Sequence, residues 1–140
     1  MRRTRVDKSH FKGLSALVVE DDAGGMAIIG VMMRHLGINA YINTTGEQVI
    51  SMANAMPKKP DIIFLDINLP NTTGYEILTQ IRANEKYKDV TVIAVTAQDA
   101  DTEIPKAKEA GFNAYISKPI SRMHFPKQLH RILEGEDVWG

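Results

Sequence analysis

Apolar residues fall in short runs at 16–19, 38–42, 62–65, 90–95 and 114–117, and the first and third runs contain no polar residue. A strand that is apolar on both faces has to be covered on both, as a parallel strand is between layers of crossover helices. Between the runs, apolar positions return every three or four residues, the period of an amphipathic helix. The alternation predicts five strand-then-helix units, hence an α/β fold with a doubly wound, five-stranded parallel sheet and five helices. Helices are predicted at 25–35, closed by Gly37, at 46–55, stopped by Pro57, and at 73–83. Two more are predicted at 102–110, closed by Gly111, and at 121–133, closed by Gly135. Thr45, Thr72 or Thr73, and Ser121 stand where N-caps are needed. Pro105 suits the first turn of the fourth helix, whereas Pro126 demands a late start or a kink in the fifth.

Composition sets the boundaries. A chain of 140 residues with 44% hydrophobic content can bury one core without disulfides or structural metal. Residues 1–13 read as a basic, flexible arm, 14–134 as the domain, and 135–140 as a short tail in which Trp139 is a loosely packed end. The absence of cysteine excludes a disulfide framework, a thiolate zinc site and a cysteine nucleophile, and it fits a reducing compartment such as the cytoplasm. No apolar run approaches the roughly 18 residues of a membrane span, and Met1 to Arg5 do not lead into a signal-peptide stretch. Net charge is zero, but residues 1–12 carry five basic groups against Asp7, leaving 12 basic and 16 acidic residues beyond them. An acidic body of this kind argues against nucleic-acid binding.

In an open parallel α/β sheet, ligands bind beyond the carboxyl ends of the strands. The polar residues at those ends are Glu20-Asp21-Asp22, Asp66, Thr96 and Lys118-Pro119. Carboxylates converging in one cleft repel each other unless a hard cation or a lysine balances them. Mg²⁺, with Mn²⁺ as a substitute, suits one or two carboxylates plus waters and phosphate oxygens, so Asp21 and Asp66 are the direct candidates and Glu20 acts at a distance. His10, His35, His124 and His130 lie away from the strand ends, which disfavours zinc or iron. A carboxylate beside a divalent cation and a lysine can attack phosphorus, and Asp66 is that candidate. Lys118, the Thr96 hydroxyl and the Ala97 backbone N–H would then stabilise the phosphoryl oxygens.

Glu20-Asp21-Asp22 after an apolar strand, Asp66-Ile67-Asn68-Leu69-Pro70 with Gly74 beyond, Thr96-Ala97, and Tyr115-Ile116-Ser117-Lys118-Pro119 together resemble the receiver domain of two-component response regulators. The likeness covers residues 14–134 and leans toward stand-alone regulators of the cell-division, polarity and chemotaxis types. It implies a flavodoxin-like sheet of order 2-1-3-4-5 and Mg²⁺-dependent transfer of a phosphoryl group to Asp66 from a histidine kinase or histidine phosphotransferase. It further implies Mg²⁺ held by Asp21, Asp66 and the Asn68 carbonyl, with Glu20 acting through water. Lys118 would pair with the phosphoryl group, and Thr96 with Tyr115 would form a switch pair. Asn68 and Gln98 would tune dephosphorylation, and Pro119 would follow a cis peptide bond. Output would be contact with a downstream protein, with the face of the fourth and fifth helices available for a homodimer, and the chain would be no enzyme beyond its own phosphorylation and dephosphorylation. The resemblance departs at Leu69, at Ala23-Gly24-Gly25 and at Pro126.

Two other classes compete. A receiver that is never phosphorylated and serves only as a binding module would lack an acidic or lysine position, and every such position is filled here. A phosphatase working through an aspartyl phosphate generally needs a second carboxylate two residues after the nucleophile, where this chain has Asn68.

Overall fold

The apolar runs at 16–19, 62–65, 90–95 and 114–117 become strands because their side chains alternate between two helical layers that both exclude water, whereas the run at 38–42 forms an edge strand that is largely exposed. In a computed structural model, which describes residues 8–140, the strands are β1 (Ser15–Val19), β2 (Asn39–Asn43), β3 (Ile62–Leu65), β4 (Thr91–Thr96) and β5 (Ala114–Ser117). All neighbours pair in parallel, in the order β2-β1-β3-β4-β5. The helices are α1 (Ala23–Leu36), α2 (Val49–Ala55), α3 (Gly74–Ala83), α4 (Ala100–Ala110) and α5 (Phe125–Leu133). Ala16, Val18, Phe64, Ile93 and Ile116 face α1 and α5, where they meet Ile29, Met33, Phe125 and Leu129. Leu17, Val19, Leu65, Ala94 and Tyr115 face the opposite layer with Val49, Ile77, Ile81 and Ala107. The doubly wound α/β fold read from the pattern is therefore the one observed.

Helix ends differ from expectation where side chains reorganise the backbone. The second helix begins at Val49 and Thr45 does not cap it, because the buried Asn43 gathers the preceding loop. Its Oδ1 accepts from the amides of Thr45 (3.1 Å) and Gly46 (2.8 Å), and its Nδ2 donates to the Glu47 carbonyl (2.8 Å). Gln48 then carries the left-handed backbone, φ 56°, that turns the chain into α2. Thr73 caps α3 by accepting from the Glu76 amide, as anticipated.

The fourth helix opens at Ala100 behind Asp99, so Pro105 lies inside it rather than in its first turn. The missing N–H orphans only the carbonyl of Asp101, an exposed residue that water can satisfy. Pro126 has the effect foreseen: α5 starts late, with the proline in its first turn where no donor is needed. Ser121 caps the turn ahead of α5, its hydroxyl accepting from the His124 amide at 3.2 Å.

The base of the sheet is tied by Arg82. Its guanidinium donates to the carbonyls of Lys88 (3.0 Å), Val90 (2.7 Å) and Gly111 (3.0 Å) and to Asn113 Oδ1 (2.7 Å), joining the end of α3 to the beginnings of β4 and β5.

Both expected boundaries shift. Lys8–His10 form a 3₁₀ turn and Phe11 is fully buried in the cluster that α1 and α5 share, edge-on to the His130 ring of α5, so packing begins inside the segment read as a basic arm. Residues 1–7 of that arm lie outside the described residues. At the other end, Trp139 is not a loose end. Val138 is buried, and residues 138–140 lie alongside β5 through a parallel bridge between Tyr115 and Trp139. Among the described residues, no helix is long and apolar enough to cross a membrane.

If Phe11 belongs to the core, Phe11→Ala should lower unfolding free energy by about 3–5 kcal/mol in urea titrations. A change within a few tenths would mean that the packed domain starts later.

Candidate functional site

Parallel strands deliver their carboxyl ends to one edge of the sheet, and three acidic groups arrive there together. Glu20, Asp21 and Asp66 each offer a carboxylate oxygen, and these oxygens lie within 4.8 Å of one another. Glu20 and Asp66 are buried, at 2% and 6% exposure, whereas Asp21 faces solvent. The Lys118 ammonium bridges the two buried carboxylates, reaching Glu20 Oε1 and Asp66 Oδ2, the latter at 2.9 Å. Burial pulls the Lys118 ammonium toward neutrality, but its hydrogen bonds to Glu20 and Asp66 outweigh that effect and raise its pKa. For Glu20 desolvation dominates: its carboxyl is pushed above the ordinary range despite the Lys118 bond and an amide bond from Asp22, and the Asp66 charge adds to the rise.

Two glycines create the space. A Cβ on Gly74 would sit 2.6 Å from the Asp66 carbonyl oxygen and 2.9 Å from Ile67 Cα, so only glycine lets α3 start against the end of β3. A Cβ on Gly25 would lie 2.8 Å from Glu20 Oε1. The flexible opening of α1 thus has a local reason: Glu20's carboxylate rests against that first turn. Asp22 is not part of the acidic cluster, since it caps α1 by accepting from the Gly25 amide at 2.7 Å.

The other sequence-selected residues line the same rim. The Asn68 amide donates to Asp66 Oδ1 at 3.1 Å and fixes the carboxylate's second oxygen. Thr96 is buried, and its hydroxyl oxygen accepts a long bond from the Gln98 amide (3.4 Å), leaving the hydroxyl proton free to be donated elsewhere. Tyr115 is fully buried with its hydroxyl donating to the Gln98 backbone carbonyl at 3.4 Å; burial first, then Glu103, Asp99 and Asp66, raise its pKa. The Gln98 backbone thus joins Thr96 and Tyr115. Ala97 lines a mostly apolar cleft of about 320 Å³ with Gly24, Gly25, Ile28, Lys118, Pro119 and Ile120. The Lys118–Pro119 peptide is cis.

Sequence reading missed a clamp beneath this rim. The Tyr75 hydroxyl donates to Glu103 at 2.5 Å, joining α3 to α4 beside Tyr115, and burial with that carboxylate pushes the Tyr75 phenol upward. Neither residue falls in a motif, and only their pairing across two helices reveals them. A larger surface cavity of about 550 Å³ beside β2 and α2 has Glu47 as its only acidic residue and gathers no comparable cluster.

The residues present suit a hard divalent cation: all three donors are carboxylate oxygens, and the two buried ones share a single ammonium, leaving negative charge uncompensated. Among the described residues this is the only cluster of three or more such groups.

A family model described as the response regulator receiver domain matches residues 16–130. The chemotaxis protein CheY-3 of Vibrio cholerae is 34% identical over 125 residues, covering 88% of this chain and 94% of its own. The polar-differentiation response regulator DivK of Brucella ovis is 31% identical, covering 85% of this chain and 95% of its own. A sensor histidine kinase of Helicobacter pylori, CheAY, is also 31% identical, but this chain spans only 15% of its length. Among solved structures, the receiver domain of a sensor histidine kinase from Pseudomonas aeruginosa PAO1, with magnesium coordinated in its active-site cleft, aligns with a TM-score of 0.76 and 31% identity, covering 87% of this chain and 98% of that one.

Gly74→Ala should cost about 1–3 kcal/mol in a chemical melt, because the methyl forces the Asp66 backbone aside; an unchanged midpoint would mean that the contact is soft. Glu20's raised pKa makes the folded protein hold a proton that the unfolded chain has released, so stability falls as pH rises through that interval. Metal-free Glu20→Gln is accordingly expected to melt above wild type near pH 7, and the two should converge below about pH 4. Parallel curves across that range would contradict this assignment.

Proposed function

This chain belongs to the response-regulator receiver family, and on that premise we propose that it is a phosphorylation switch whose acceptor is Asp66. The observation that carries this reading is the buried Asp66 carboxylate held between the Lys118 ammonium and the Asn68 amide, within reach of two further carboxylates. An Asp66 oxygen attacks the phosphorus of a phosphohistidine, the P–N bond breaks, and the imidazole leaves with the electron pair and takes up a proton. Positioning does most of the work, since the nucleophile is already oriented by two hydrogen bonds.

Lys118 is the resident countercharge and passes to the phosphoryl oxygens once they arrive. The Thr96 hydroxyl, whose proton is uncommitted, turns to donate to one of them, and the Ala97 amide at the mouth of the cleft donates to another. Asp21 and Asp66 would hold Mg²⁺ directly, with the Asn68 carbonyl as a further oxygen ligand and Glu20 acting through water. Bound there, Mg²⁺ supplies the positive charge that offsets charge on the transferring group.

Movement of Thr96 toward the phosphoryl group changes the space beside Tyr115, and that pair carries the signal outward. Asn68 and Gln98 border the route that water takes to the acyl phosphate, which gives them a role in its lifetime. We take the phosphodonor to be a histidine kinase or histidine phosphotransferase in the cytoplasm and the output to be protein contact on the face of α4 and α5, with no other enzymatic activity in the chain. The family membership and the acidic cluster support this assignment.

Incubation with acetyl phosphate, followed by intact mass, should give a single phosphoryl adduct that requires Mg²⁺ and is absent from Asp66→Ala. Lys118→Ala should slow adduct formation by about a hundredfold. An adduct that persists in Asp66→Ala would remove Asp66 from its role, and no adduct in wild type at any time point would leave the chain without the proposed chemistry.

A further inference from the structure

β5 ends the sheet, so the ring of Tyr115 is one strand away from solvent. It is nonetheless fully buried, and what closes the gap is the segment that follows α5. The Tyr115 amide donates to the Val138 carbonyl at 3.0 Å, and the Gly140 amide donates to the Tyr115 carbonyl at 2.8 Å. Bridged partners project their side chains to the same face of a sheet. Trp139 therefore stands beside the Tyr115 ring and packs against the same apolar layer, while Val138 points to the layer of α1 and α5.

Contacts from three further residues hold the segment. The Lys108 ammonium of α4 lies 5.1 Å from the centre of the Trp139 ring. Arg131 of α5 donates to Glu136 Oε1 (3.3 Å) and to the Asp137 carbonyl (3.1 Å). Gly140 lies close to Ile104 of α4, since a Cβ there would be 3.4 Å from its Cδ1.

We propose that residues 138–140 lock the Tyr115 ring in its buried position, with Trp139 closing the side of β5 through which the ring would swing out. Trp139 is then a positioning residue for the site, acting through Tyr115. This second step rests on the switch role proposed above for Thr96 and Tyr115. By linkage, a contact that favours the buried ring favours whatever state of Asp66 prefers that ring, and the preference is reciprocal. Thr96 and Tyr115 both hold the Gln98 backbone, so on the proposed switch a Thr96 drawn toward a phosphoryl group leaves room on the inner side of the ring, and the lock then strengthens binding of that group at Asp66.

The test compares wild type with Trp139→Ala and with Gly140→Pro, which removes the Gly140 amide bond to the Tyr115 carbonyl and cannot adopt the left-handed φ of 106° there, while the Trp139 side chain is kept. Nitration by tetranitromethane, read by peptide mass spectrometry, reports ring exposure, with the exposed Tyr41 as internal reference. Tyr115 should react about tenfold faster in both variants, as local opening requires, while Tyr41 is unchanged. Calorimetric titration with beryllofluoride and Mg²⁺ should show roughly fivefold weaker binding in the variants, and no such difference on a Tyr115→Ala background. Unchanged nitration of Tyr115 in both folded variants would overturn the lock. Faster nitration with unaltered beryllofluoride affinity would overturn its link to Asp66. Should wild type bind no beryllofluoride, the proposed switch fails, and nitration alone still decides whether the segment holds the ring.

Discussion

The ion triad of Glu20, Lys118 and Asp66 is the constraint to which the rest of the molecule is fitted. Two carboxylates are buried within reach of one ammonium, so the cleft carries unbalanced negative charge that an apolar interior cannot solvate. The fold tolerates this only because the three groups come from the ends of β1, β3 and β5, strands set in register by a well-packed sheet. Glycine at 25 and 74 is part of the same arrangement, since any side chain there would occupy the space of the Glu20 carboxylate or the Asp66 backbone. Stability is given up locally for a site prepared to receive positive charge.

Most of the architecture was legible because two-sided burial leaves a plain mark on a strand. The runs at 16–19 and 62–65 have nothing polar in them, and both are central strands. Helix ends were harder. Thr45 has the chemistry of a cap, yet Asn43, two residues earlier and buried, captures the local amides first. Pro105 suits a first turn, where proline is commonly tolerated, but Asp99 opens the helix sooner and the proline falls in the second turn.

The acidic and basic members of the site could be read because each stands at a strand end, where a fold of this class collects its chemistry. What escaped is what depends on tertiary neighbours. Phe11 looks like an isolated aromatic in a charged arm, and nothing local says that it joins the core that α1 and α5 share. Trp139 follows a polar stretch that has no strand periodicity, and its place beside β5 follows from an unpaired edge that sequence cannot display. The Tyr75–Glu103 bond joins residues 28 apart on different helices.

The Arg82 fork gives the sheet a mechanical polarity. Its four bonds rivet the amino-terminal ends of β4 and β5 to α3, whereas at the opposite ends Lys118 is held by ion pairs to Glu20 and Asp66, the groups that an incoming charge would engage. A displacement imposed at the carboxyl end would therefore pivot about this heel. The same small shift would grow with distance from Arg82 and reach the rim of the molecule more than its foundation.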